Sequence, residues 1–277
     1  DLRDGLNDLL ADPDLDAIVL ATPHSQHADQ IAAAARAGKH IFVEKPFTLD
    51  KAGADAARAA VENAGVVLAL GHNRRFLASM ARVRDLATSG ALGTLLHVEG
   101  NFSASGALRY TEEHWRASAA ESPAGGMTGL GVHLVDTFIS FLGPIDAVNC
   151  VSIRRAAPVA VDDTTTMLLR FASGITGTLT TLFATERIWR LQVFGSAGWV
   201  EMRNYDRLII RLKGEDERIE DFPAMVMERA ELEAFADACE GRAPYPLPLD
   251  DAVHGAAVLE AIIASATGDG ALVRVKR

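Results

Sequence analysis

The chain is short of cysteine, of basic charge and of long apolar runs, and each shortage excludes a class of function. Only Cys150 and Cys239 occur among 277 residues. They are too few for a disulfide framework and stand in no metal-ligand spacing, so they read as buried, reduced thiols of a cytoplasmic protein. Lys and Arg number 27 against 37 Asp and Glu, a formal net charge of −10. A nucleic-acid partner calls for the opposite balance, because phosphates are held by cations. No apolar run approaches the ~20 residues needed to span a bilayer, and no basic-then-apolar signal segment opens the chain. No membrane contact is expected. An initiator Met is absent too: the chain opens at Asp1, on the polar lead-in to a helix, which points to truncation or processing. His97, His114 and His254 have no partners at ligand spacing, and no metal site is expected.

What is present is an ordinary globular composition, 49% hydrophobic and 23% charged, long enough for one large or two ordinary domains. The first 75 residues alternate helix and strand. Leu6 to Leu10 is a short amphipathic turn closed by Asp12-Pro13, and Asp16 to Ala21 is an apolar run ending in Thr22-Pro23. The Ala-rich stretch His24–Ala37 closes with Gly38, as a helix with a glycine C-cap does. His40–Val43 is a second strand ended by Glu44-Lys45-Pro46, Leu49–Ala64 a helix, and Val66–Leu70 a third strand. Strands separated by single helices pair in parallel through right-handed crossovers. Ligands of such sheets lie beyond the carboxyl ends of the strands, which here are Thr22-Pro23, Glu44-Lys45-Pro46 and Gly71-His72-Asn73. That topology alone puts Lys45 at the site.

The pattern changes after Arg75. A helix over Leu77–Ser89 leads into candidate strands Leu95–Phe102, Ala147–Ile153, Thr164–Phe171, Thr176–Phe183, Arg190–Phe194 and Arg207–Leu212. Thr164 through Thr181 alternates polar and apolar residues, the signature of a half-exposed antiparallel sheet. Helices over Gly131–Leu142, Met225–Glu240 and Asp250–Ala266 cover it. The expected fold is α/β: a truncated Rossmann-type parallel sheet (residues 1–75), then an α+β domain with an open, mostly antiparallel sheet (residues 76–277).

Four segments, in order, carry a family resemblance: Ala21-Thr-Pro-His-Ser-Gln-His27; Ala37-Gly-Lys-His-Ile-Phe-Val-Glu-Lys-Pro46; Gly71-His-Asn-Arg-Arg-Phe76 with Ser89-Gly-Ala-Leu-Gly93; and Gly125-Gly126 through Gly131-Val-His133-Leu-Val-Asp136 to Leu142-Gly-Pro144. Over residues ~16 to 144 the chain resembles the glucose–fructose oxidoreductase/inositol dehydrogenase (Gfo/Idh/MocA) family. The resemblance implies a nicotinamide cofactor, NAD or NADP. It also implies that the family's opening strand, Gly-x-Gly-x-x-Gly turn and ribose-selecting strand precede residue 1, since no such glycine trio opens a helix here. That turn binds pyrophosphate on backbone N–H groups.

By resemblance Lys45 lies beside the reacting hydroxyl and Glu44 contacts the nicotinamide ribose or holds Lys45; the plain alternatives are a surface lysine and a surface ion pair. Thr22, Pro23 and His27 would line the cofactor, with His24 replacing the family's Asn. Trp115-Arg116 resembles a family loop near the cofactor, or is an unremarkable loop. Asn73 and Arg74 follow the third strand and face the nicotinamide or substrate. His133 begins a helix after a glycine-rich approach; an imidazole titrating near neutrality suits a proton acceptor, although a buried hydrogen-bonded histidine fits the same position. Asp136, three residues on, shares its helical face and either orients the ring or packs the helix. Many family members carry an Asp four residues before this His, where Gly129 stands here. The catalytic set is then Lys45 and His133 alone, or another acid such as Glu121 supplies the charge.

The leading function is hydride transfer between NAD(P) and a hydroxyl carbon of a sugar, polyol or cyclitol. The alternative is a non-catalytic, dinucleotide- or sugar-binding regulator of the same fold. The open Thr- and Leu-bearing sheet is expected to pair with another copy, as in the family, giving a homodimer or homotetramer.

Overall fold

The computed structural model describes residue 2 and residues 4–277; Asp1, where the polar lead-in was expected, lies outside the described residues. The chain runs α1 (Leu6–Ala11), β1 (Ala17–Leu20), α2 (His27–Arg36), β2 (His40–Val43), α3 (Lys51–Ala64), β3 (Leu68–Leu70) and α4 (Ala78–Thr88). It continues through β4 (Leu95–Ser103), α5 (Val132–Leu142), β5 (Ile145–Ile153), β6 (Thr164–Phe171), β7 (Thr176–Leu182), β8 (Ile188–Gly195), β9 (Gly198–Arg203), β10 (Arg207–Leu212), β11 (Arg218–Asp221), α6 (Met227–Cys239), α7 (Leu249–Thr267) and β12 (Val273–Arg274).

β1, β2 and β3 form a parallel sheet in sequence order, Ile18 beside Ile41 and Ile41 beside Leu68. The helices between them are bounded as their residues dictate. Asp50 caps α3, its side chain accepting from the Gly53 N–H at 2.7 Å, and Gly65 ends it in the left-handed region. His24–Gln26 is a separate 3-10 turn ahead of α2.

The second sheet has nine strands in the order β11-β10-β9-β8-β4-β7-β6-β5-β12. It is antiparallel except for the β4–β7 pair. Its inner face packs on α5 and α7 over a core that includes Trp189, Phe138, Met167 and Leu179. Along β6, Thr165, Met167, Leu169 and Phe171 are buried while Thr166, Leu168 and Arg170 are exposed, so the period-2 reading of the Thr-rich stretch gives the side that faces the core. α7 serves both cores: Ala252, Val253 and Ala256 join the apolar cluster of the parallel sheet, and Val258, Leu259 and Ile262 that of the large one. α6 also packs back on the small sheet, where Phe235 meets Phe42 edge-on at 5.8 Å between ring centres. The carboxyl ends of β1–β3 thus open toward the second sheet rather than to solvent on all sides. No helix among the described residues is long and apolar enough to cross a membrane.

Candidate active site

Lys45 projects from the end of β2, ahead of a cis peptide bond to Pro46. Its Nζ donates to the Gly129 carbonyl at 2.8 Å, which joins the parallel sheet to the π-helical turn Met127–Gly131 that leads into α5. Lys45 and Gly129 share a cleft of about 710 Å3 with Arg109, His114, Arg116 and Arg187. Burial pushes the Lys45 ammonium down to about 8, with Glu44 opposing and the cations of Arg74 and Arg116 adding to the shift. Glu44 folds back beside its neighbour: its carboxylate lies against Gly71, and the Lys45 N–H donates to it at 3.3 Å.

The approach to α5 is tightly built. Gly125 has φ +55°, and a Cβ there would stand 1.8 Å from the Asp162 carbonyl oxygen, so only glycine fits. Gly129 is the reverse case: a Cβ there would meet nothing within 4 Å, so space is open beside Lys45.

His133 is buried, with its Nε2 3.1 Å from Arg74 Nη1 and its ring edge-on to His72 at 5.4 Å. Burial, then Arg74 and Lys45, hold its pKa well below the ordinary histidine value. The ring is therefore neutral at neutral pH, which corrects the expectation that it titrates there. Nor does it line the cleft that Lys45 and Gly129 share. Asp136 does not orient it: that carboxylate is taken by Arg75, whose Nε and Nη2 donate at 2.7–3.0 Å, and Arg75 also binds Asp251 at 2.9 Å. Arg74 orients the ring instead, because its guanidinium sits between His133, Tyr205 and Asn73. Asn73 is buried and donates to Glu228 at 2.8 Å, so Asn73 and Arg74 turn into the protein rather than toward open space.

The loop after β1 divides in the same way. Thr22 and Pro23 sit half-buried at the strand end. His27 is fully buried between the carbonyls of Pro46 (2.9 Å) and Thr22 (3.2 Å), and so ties the two strand-end loops together. His24 is buried against the edge of Trp115 at 4.9 Å, with Nδ1 2.6 Å from the Glu121 carbonyl; burial lowers it to about 4. Arg116 lays its guanidinium over the Trp115 ring at 4.1 Å. The Glu121 carboxylate is held by the Ser25 N–H and hydroxyl, so it does not replace the acid missing at Gly129.

Pattern reading passes over one group. Glu231 on α6 is buried, and its Oε2 has no hydrogen-bond partner among the described residues. Burial, then Glu44 and Glu228, raise it to about 8 against the pull of Arg74 and Lys45. A signal was available: Glu231 lies between Met227 and Phe235 at i, i+4 spacing, on the stripe that faces the small sheet. A second, more apolar cavity of about 480 Å3, lined by Ile139, Pro144, Ile145 and Val275 among others, holds none of the expected site residues.

Residues 2–72 match the model of an oxidoreductase family with an NAD-binding Rossmann fold, and residues 80–201 the GFO/IDH/MocA C-terminal domain. The chain is 29% identical over 280 residues to the 1,5-anhydro-D-fructose reductase of Ensifer adhaerens, across 96% of this chain and 82% of that one. A putative NADPH-dependent oxidoreductase from Desulfitobacterium hafniense superposes with a TM-score of 0.89 at 25% identity, over 98% of this chain and 83% of that one. Levoglucosan dehydrogenase in complex with NADH and levoglucosan has the same fold, with a TM-score of 0.89 at 22% identity over 99% and 83% of the two chains. The family model matched by residues 2–72 is NAD-binding, so the cofactor class is a nicotinamide dinucleotide. With a Rossmann-type parallel sheet, the Glu-Lys-Pro strand end and the C-terminal open sheet in one chain, this protein belongs to the Gfo/Idh/MocA family of NAD-binding oxidoreductases.

Proposed function

We propose that this chain is an NAD(P)-dependent dehydrogenase or reductase that moves a hydride between the nicotinamide and a hydroxyl-bearing carbon of a sugar, polyol or cyclitol. The observation that carries the reading is Lys45: an ammonium whose pKa is pushed down to about 8 by burial, at a strand end, on the wall of a cleft. In the oxidative direction its neutral amine accepts the hydroxyl proton as the C=O bond forms; in reduction its ammonium returns that proton. A nicotinamide bound there would supply the acceptor or donor of the hydride. The donor set suits that end of the cofactor: the Glu44 carboxylate would accept ribose hydroxyls, and Thr22, Pro23 and Trp115 would flank it. His133 lies behind the set as a neutral ring fixed by Arg74. A pure sensor has no need of a lysine tuned in this way.

The outer face of the large sheet is the proposed contact with a second copy. It is supported by Leu96, Val151 and Leu168, which are 52%, 54% and 58% exposed.

Titrating the chain with NADH and NADPH, followed by tryptophan fluorescence, and then screening polyols with NAD+ and NADP+, tests the enzyme reading. Saturable binding and turnover that Lys45→Ala lowers by about 10²-fold or more is the expected result. Near-normal turnover by Lys45→Ala would sink the assignment.

A further inference from the structure

From the charges around the cleft we infer that the sugar it takes is anionic, a sugar carrying a carboxylate or a phosphate, rather than a neutral polyol. The inference rests on the dehydrogenase reading for the identity of the site, though not for the chemistry of its walls. Four cations line the cleft, Lys45, Arg109, Arg116 and Arg187, against one carboxylate, Glu186. This stands out in a chain whose formal net charge is −10. Among the described residues none of the three arginines has a carboxylate within ion-pair distance, whereas many of the chain's other arginines do. Glu186 shares the cleft without pairing to any of them.

Two of the three guanidiniums, those of Arg116 and Arg187, are also directed rather than free. Arg116 is laid over Trp115. Arg187 donates to the Tyr205 hydroxyl at 2.9 Å and lies 5.4 Å from that ring's centre. Both contacts hold the planar fork in place while leaving N–H donors unspent, the arrangement suited to two-point binding of a carboxylate or phosphate. Arg109 is exposed, and no side-chain partner holds it among the described residues. Gly129 completes the argument. A carboxylate there would neutralise Lys45 and repel an anion, but the position has no side chain and opens onto unfilled space. Like charges gathered without counter-ions disfavour the empty site, and a bound anion relieves that repulsion.

The test is calorimetric binding at fixed ionic strength, with and without NADH, using matched pairs: D-glucose with D-glucuronate, D-galactose with D-galacturonate, and D-glucose with D-glucose 6-phosphate. The acid or the phosphate should bind at least about tenfold tighter than its neutral partner. The uronate and phosphate arms distinguish which anion is meant. Arg109→Gln, which leaves the Arg187–Tyr205 contact alone, should erase most of that preference. Equal affinity within the pairs, tighter binding of the neutral sugars, or no binding of either member overturns the inference. So does an Arg109→Gln variant that loses NADH affinity and keeps its sugar preference, because the charge then serves the cofactor's phosphates. Anion binding with no turnover of NAD+ or NADP+ would leave this inference standing and overturn the dehydrogenase reading. Turnover of neutral sugars with no preference would do the reverse.

Discussion

Single side chains carry the chemistry here, and their environments make opposite demands. Lys45 is pushed down to about 8 and Glu231 raised to about 8 by the same physical cause, burial that disfavours charge. If the neutral Lys45 amine accepts the proton, kcat/KM for oxidation should rise about tenfold per pH unit below 8 and level off above it. Reduction should show the mirror profile; a flat profile from pH 6 to 9 would exclude Lys45 as the titrating group. Glu231 affects stability. Its folded-state value lies above its unfolded one, so the folded chain holds a proton that the unfolded chain has released. Stability therefore falls as pH rises from about 4.5 to about 8, by up to about 1.4 kcal/mol per unit. Glu231→Gln keeps the shape of the protonated acid, and its urea-unfolding free energy should lack that decline. Parallel curves for the two proteins would show that Glu231 is not held neutral. Lys45 was legible in the sequence because topology places any strand-end residue at the site. The direction in which Arg74 and Asp136 point was not, because it depends on which partner each meets across the fold.

At the scale of elements, Arg75 clamps three of them: it follows β3, and it binds Asp136 on α5 and Asp251 on α7. Arg75 and Asp136 side chains are only 6% and 7% exposed, so removing one charge leaves the other buried and under-paired. Asp136→Ala should lower unfolding free energy by about 3–5 kcal/mol, measurable by urea titration. A loss below about 1 kcal/mol would mean that Asp251 alone satisfies Arg75. Element reading from sequence succeeded where periodicity was clean, as in the α3 and β6 regions. It passed over β9, where Val200, Glu201 and Met202 are buried in succession and no alternation is visible. It also missed β11, a polar strand held by its ladder to β10 and by the Arg207–Asp221 and Arg82–Glu220 pairs. The reading of His24–Ala37 as one helix gave way to a 3-10 turn and a shorter α2, because His24 and His27 bond to distant backbone carbonyls at that bend.

At the scale of the whole molecule, the broad sheet presents an outer face of mixed character. Leu168 and Val151 stand beside Thr166 and Thr178, with the Glu99–Arg190 pair across β4 and β8. Sedimentation at micromolar concentration should give a dimer or tetramer, and Leu168→Arg should shift it toward monomer. A monomeric parent would refute the contact. The amino-acid sequence by itself determined the fold class, the order of the two sheets and the presence of Lys45 at a strand end. Those follow from local periodicity, turn residues and the handedness of crossovers. Only the tertiary structure decided that His133 is a neutral ring held by Arg74, that Asp136 serves Arg75, that the Glu231 Oε2 is buried with no hydrogen-bond partner among the described residues, and that three arginines from two loops share one cleft with Lys45. Each of these depends on contacts between residues far apart in the chain, where burial and the nearest opposite charge decide protonation and direction, and neither has a sequence period to reveal it.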